Sequence, residues 1–205
     1  LKKLEQVGLG YISLDRSIPT LSGGEAQRLK IARQFGSGLS NILYIMDEPS
    51  KGLHPKDFKF LIEAIQNLKK LKNTIVIVEH KKELIQTADY VIEIGPGAGQ
   101  YGGQLLRAEA VDKDKQPTFD DYNYVIENNA VETNKKLILK GARTNNLKNV
   151  EVSLPLSSFI CVIGVSGSGK SSLISKTLYP AIRNRLGKSV DILGEYDTII
   201  GTEYI

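Results

Sequence analysis

Gly164-Val165-Ser166-Gly167-Ser168-Gly169-Lys170-Ser171-Ser172 satisfies the spacing G-x-x-x-x-G-K-[ST]. Glycines at these positions let the backbone bend until consecutive N–H groups point inward. A helix starting at the lysine adds partial positive charge, so the segment can cradle a polyphosphate. Gly164, Ser166, Gly167, Ser168, Gly169 and Ser172 would then form the cradle, Lys170 would reach the outer phosphates, and the Ser171 hydroxyl would ligand Mg²⁺. The bland alternative is a Gly/Ser-rich surface turn that happens to precede a lysine.

Hydrolysis at such a site also needs acids. Asp47-Glu48-Pro49 follows the apolar run Ile42 to Met46, and the carboxyl end of a buried strand is where α/β sheets bind ligands. Asp47 can hold Mg²⁺ while Glu48 polarises the attacking water; a strand-ending turn with solvated acids is the other reading. His80 lies just past the apolar run Thr74 to Val78, where it is either a solvated or capped side chain or a partner for the γ-phosphate or attacking water. Ser22 and Glu25 have the spacing of a capping box, and Gly23 and Gly24 open the helix it starts. This is either a second anion-binding helix end or an ordinary helix start.

These residues need rigid supports. Phe159 to Ile163 reads as the buried strand entering the glycine-rich loop, and Lys170 to Leu178 as the helix leaving it, with Pro180 ending or bending that helix near Tyr179. Ile42 to Met46, Thr74 to Val78 and Tyr90 to Ile94 have the character of strands buried on both faces of a parallel sheet. A helix from Ser22 places Leu29, Ala32 and Phe35 inward. Phe58, Leu61, Ile62, Ile65 and Leu68 form the apolar stripe of a helix whose first position suits Pro55. Leu1 to Val7 offers a further short helix. Leu137 to Leu139 and Val150 to Leu154 read as two strands around Thr144-Asn145-Asn146. The expected class is α/β, with a mainly parallel sheet and an antiparallel β portion ahead of the glycine-rich loop. Residues 95–135 shift toward Gly, Asp, Asn and Gln, and the linker is placed at 106–135.

Composition bounds the rest. The chain has 205 residues, of which 41% are apolar, enough for a core. A net charge of +4 permits contact with phosphate or nucleic acid without requiring it. Arg28, Lys30 and Arg33 read as a solvated basic face, so weak, sequence-independent binding of duplex DNA is expected. Cys161 is the only cysteine, which excludes a disulfide framework or Cys-x-x-Cys zinc site here and leaves an inert core thiol. No apolar run approaches the roughly 18 residues of a membrane span, so no membrane contact and a cytoplasmic setting are expected. A start at Leu1 and a stop at Ile205, just after an apolar run, suggest a piece of a longer protein.

Taken together, the segments are more specific than any one of them. Leu-Ser-Gly-Gly-Glu-Ala-Gln at 21 to 27 resembles an ABC signature, Ile42 to Glu48 a Walker B strand with its glutamate, Pro49 to His54 a D-loop, and His80 a switch histidine. With Val78-Glu79-His80, Ile94 to Gly99, Gly102-Gly103 and Gly141 to Val150, the wording resembles the UvrA-like family of ABC ATPases over most of the chain, about 104–135 excepted. The resemblance implies an ABC-type P-loop NTPase using ATP and Mg²⁺. Glu48 and His80 would be catalytic, Asp47 and Ser171 metal-binding, and Ser22, Gly23, Gly24 and Gln27 nucleotide-binding. It also implies coupling to DNA damage recognition in nucleotide excision repair, a UvrB-like partner, a homodimer at full length, and zinc only outside this stretch. The alternative is a non-repair ABC module of resistance, transport or remodelling type. No glutamine follows Gln116, so the family's Q-loop residue lies beyond Ile205 or is replaced near Tyr204.

Motif order carries a further implication. In a single ABC module the glycine-rich loop comes first, whereas here it comes last. In the tandem reading, residues 1–105 are the back half of a first module and residues 136–205 the front half of a second. Ser22, Gly23 and Gly24 would then face phosphates held by Gly167 to Ser171, while Asp47, Glu48 and His80 would serve another nucleotide. The chain alone would then have little or no ATPase activity. The rival is one permuted domain with Asp47 and Glu48 beside Ser171.

Overall fold

The computed structural model describes residues 9–13, 15, 17–35, 38–111 and 134–205. The expected helix at Leu1 to Val7 and most of the expected linker lie outside them. Short buried runs become strands β1 (Leu43–Asp47), β2 (Thr74–Val78), β3 (Tyr90–Gly95) and β7 (Phe159–Ile163). Their order in the sheet is β1-β2-β7-β3, all parallel, and β4 (Gln104–Ala110) adds an antiparallel edge beside β3. Asp47 is in register with Val78, Val78 with Val162, and Glu93 with Ile163. The loops carrying Asp47-Glu48, Glu79-His80 and Gly164 to Ser171 therefore leave the sheet at one end.

Alternation along β2 and β7 divides the core. Ile75, Ile77, Phe159 and Cys161 face helices α2 (Phe58–Lys70) and α3 (Lys82–Thr87), where Phe58, Leu61, Ile62, Ile65, Leu68 and Leu84 are buried. Val76, Val78, Ile160 and Val162 face the opposite way, onto a second sheet and the helix after the loop. That second sheet is antiparallel, in the order β6 (Val150–Pro155), β5 (Lys136–Ala142), β8 (Thr198–Ile200). Each large side chain withdrawn from water on either face is worth roughly 1.5–3 kcal/mol. Asp89 adds a polar strut: it pairs with buried Lys69 of α2 at 2.7 Å and accepts from the Phe159 N–H at 2.9 Å, fixing the start of β7.

Four features differ from expectation. First, the linker boundary at 105 falls inside β4, whose short runs of polar residues suit an exposed edge strand. Second, Ile199-Ile200 form β8 against Leu139 and Ile138. Third, Pro180 does not end its helix: α4 (Lys170–Leu173) passes through a π-helical turn, Ile174–Leu178, into α5 (Tyr179–Arg185). The wide turn takes in a residue without an N–H, and the Thr177 hydroxyl donates to the Ser172 carbonyl at 2.7 Å. Fourth, β7 lies between β2 and β3, so strands from both halves share one sheet. Separate folding of the two halves would leave β7, buried on both faces, without the β2 and β3 partners it has here.

Candidate functional site

β7 is buried along its length up to Val162, and the chain turns sharply at Gly164, whose φ is +140°. A Cβ there would stand 2.0 Å from the Ile94 carbonyl oxygen, so only glycine fits. Lys170 closes the loop, its Nζ donating to the carbonyls of Gly164 and Val165, both at 2.9 Å. Burial holds its ammonium below the ordinary lysine value, against the opposing pull of the Glu48 and Asp47 charges. The Ser171 hydroxyl donates to Asp47 Oδ2 at 3.0 Å, and Ser175 approaches the same oxygen at 3.4 Å. The structure thus brings Lys170, Ser171, Asp47 and Glu48 together.

A carboxylate and a hydroxyl from two elements form a hard-oxygen pair. Mg²⁺ is commonly bound by one or two protein oxygens, with phosphate and water completing its shell, so these residues fit the ion. No cluster of three or more His, Cys, Asp or Glu suited to a metal occurs among the described residues.

The remaining candidates are distributed around this centre. Ser166 and Gly167 are exposed on the loop, whereas Ser168 is fully buried and its hydroxyl has no hydrogen-bond partner among the described residues. Ser172 is also buried and accepts from Asn145 Nδ2 at 3.0 Å. Glu48 has a left-handed backbone, φ +46°, and pairs with Lys51 at 3.5 Å. His80 is exposed just past the end of β2, its Nδ1 3.8 Å from Glu79 Oε2.

The helix α1 (Gly23–Phe35) begins as its capping box predicts, with the Ser22 N–H donating to Glu25 Oε2 at 2.7 Å and the Glu25 N–H to Ser22 Oγ at 3.3 Å. Gly24 packs on the Gly52 carbonyl, and Arg28 pairs with Asp57 at 3.1 Å. Among the described residues no hydrogen bond joins Ser22, Gly23 or Gly24 to the loop 164–172. The side chain of Gln27 lies outside the described residues. The tandem expectation, with Asp47 and Ser171 at different nucleotides, differs from this geometry, in which they touch.

Several contributors carried the family-like wording but were given no role by sequence reasoning. Gly99 and Gly103 donate their N–H groups to the carbonyls of Gly167 and Ser168 at 3.0 and 2.8 Å, so the turn after β3 supports the phosphate loop from behind. Asn146 Nδ2 bridges the Gly99 and Gly167 carbonyls at 3.1 and 3.2 Å. A Cβ on Gly103, φ +79°, would fall 1.6 Å from the Asn146 carbonyl oxygen, which explains a glycine there. The available signal was the Gly-Pro-Gly-Ala-Gly run, which reads as a loop until its partner is known.

A glycine-rich loop between a buried strand and a helix, with an acid from a nearby parallel strand beneath its serine, defines a P-loop nucleotide-binding α/β protein. No protein-family model matches the chain. It is 44% identical over 214 residues to UvrABC system protein A of Staphylococcus epidermidis, covering 100% of this chain and 23% of that protein. It is 43% identical over 211 residues to UvrABC system protein A of Staphylococcus aureus, covering 98% of this chain and 22% of that one. The crystal structure of UvrA2 from Deinococcus radiodurans is 39% identical, covering 91% of this chain and 24% of that one, with a TM-score of 0.48. The chain belongs to the UvrA family and spans about a quarter of the length of these relatives. The two UvrABC system protein A relatives give no support to the non-repair alternative of resistance, transport or remodelling type. No helix among the described residues is long and apolar enough to cross a membrane.

Proposed function

We propose that this chain is the Mg-ATP-binding part of a UvrA-like protein in which ATP hydrolysis is coupled to recognition of damaged DNA in nucleotide excision repair. The contact that carries the reading is Ser171 on Asp47 at 3.0 Å, beside Lys170 and below the glycine-rich loop. Loop N–H groups and Lys170 would bind the phosphates, Ser171 and Asp47 would hold Mg²⁺, Glu48 would orient water, and His80 would reach toward the γ-phosphate. Mg²⁺, when bound, would supply neutralisation of phosphate charge.

In the longer protein, the part through β4 and residues 136–205 would belong to two consecutive modules, joined by the stretch that follows β4. Modules of one family share a strand order, so the back half of one can complete the front half of the next, as β7 does between β2 and β3. Ser22, Gly23, Gly24 and Gln27 would then meet a nucleotide held on another phosphate loop, in a second module or a second copy. Damaged duplex DNA, a UvrB-like partner and homodimerisation belong to the whole protein, as does zinc. The test is paired measurement: the chain alone should bind Mg-ATP with little turnover, and the full-length protein should hydrolyse it. Absence of Mg-ATP binding by both would overturn the reading.

A further inference from the structure

β2 is buried at every residue, and the residue after it, Glu79, is also fully buried. A carboxylate withdrawn from water is costly unless it is well hydrogen-bonded. Glu79 accepts the Ser50 N–H on Oε1 at 3.0 Å and the N–H groups of His80 and Lys81 on Oε2 at 2.9 and 3.2 Å. All three partners are backbone donors, and they belong to two different loops: one follows Asp47-Glu48 and the other carries His80.

The turn anchored on Glu79 through Ser50 carries the residue assigned to orient water. Glu48 sits at φ +46°, a conformation a side-chain-bearing residue keeps only when its surroundings over-determine it. Its N–H donates to the Val78 carbonyl at 3.0 Å, and Lys51 N–H donates back to the Glu48 carbonyl at 3.0 Å. The Ser50 N–H on Glu79 is the other anchor of this turn. Ser50 is buried and its hydroxyl has no hydrogen-bond partner among the described residues, so this residue is located by its backbone.

We propose that Glu79 is a positioning residue that fixes the Glu48 turn and the His80 loop as one unit, an inference resting on the ATPase reading above. Glu79→Gln is nearly isosteric but replaces one acceptor oxygen with an NH₂ group, so either Ser50 or the His80-Lys81 pair loses its acceptor. In the full-length protein, turnover per bound nucleotide should fall about tenfold or more while the affinity for a fluorescent ATP analogue stays within about twofold. Because Glu79 acts through Glu48, Glu48→Gln combined with Glu79→Gln should be no slower than Glu48→Gln alone in single-turnover measurements.

Amide exchange supplies a readout independent of catalysis: segments 48–54 and 80–82 should exchange faster together in Glu79→Gln, with β1 and β2 unchanged. Unaltered exchange in both segments, or losses of turnover that multiply in the double variant, would overturn the proposal. Should Glu79→Gln fail to fold, Glu79→Asp, which keeps the charge and shortens its reach, is read by the same criteria. Wild-type hydrolysis by Glu48→Gln would instead remove Glu48 from the chemistry, and absence of hydrolysis by the full-length wild type would sink the ATPase assignment; in either case the exchange result judges the strap itself.

Discussion

The Ser171 hydroxyl donates to Asp47 Oδ2 at 3.0 Å although 124 positions separate them in the chain. The contact exists because β7 and β1 run parallel in one sheet with β2 between them, so their loops leave at the same end. A pair of oxygens is thereby held beside the phosphate loop before any metal arrives. Asp47→Asn should remove most of the Mg²⁺ dependence of nucleotide binding. Titrations with Mg²⁺ and with chelator would then converge, and a Mg²⁺ dependence equal to wild type would show that Asp47 takes no part in holding the ion.

Lys170 is the cationic side chain within the loop itself. A hydrogen bond to a charged group is worth about 1.5–3 kcal/mol, so Lys170→Ala should weaken ATP binding tenfold or more. Titration with a fluorescent ATP analogue measures this, and coincident curves would remove Lys170 from the site.

The same lysine makes binding pH-dependent. Burial depresses its pKa below the ordinary lysine value, so the ammonium is lost at a lower pH than for an exposed lysine. Phosphate favours the charged form and raises the pKa again. Binding should therefore take up a proton as pH rises through the depressed value, and affinity should fall across that window. Calorimetry in two buffers of different ionisation enthalpy would reveal the uptake; identical heats there would exclude it.

Glu48→Gln separates binding from turnover. In the full-length protein it should leave ATP affinity near normal while lowering hydrolysis, because only the step needing the carboxylate is damaged. Hydrolysis at the wild-type rate would assign Glu48 a purely structural part in its turn.

Cysteines at 47 and 171 should be joined by a short bifunctional thiol reagent within this chain, as the observed contact requires. In the longer protein with ATP bound, cysteines at 22 and 167 should be joined if the signature helix faces the phosphate loop of another module. Failure of the second pair in every reagent length, with the first pair still joining, would favour one permuted unit in the longer protein as well.

Local chemistry made much of the framework legible. Ser22 and Glu25 cap α1 as their spacing dictates, β2 and β7 occupy the apolar runs 74–78 and 159–163, and the stripe Phe58, Leu61, Ile62, Ile65 and Leu68 is buried throughout. Such features depend on neighbours a few residues away, so periodicity and capping preferences suffice to read them. The same holds for the candidate residues of the glycine-rich loop. The strand order was of another kind: nothing near β7 in the chain says which strands flank it, and its place between β2 and β3 follows from burying both faces against distant partners. For the same reason the sequence assigned Glu79 no role, because its partner Ser50 lies 29 residues away. Which side chains stand at a strand end is written in the sequence, but which donors and oxygens meet them there depends on long-range pairing that only the folded chain supplies.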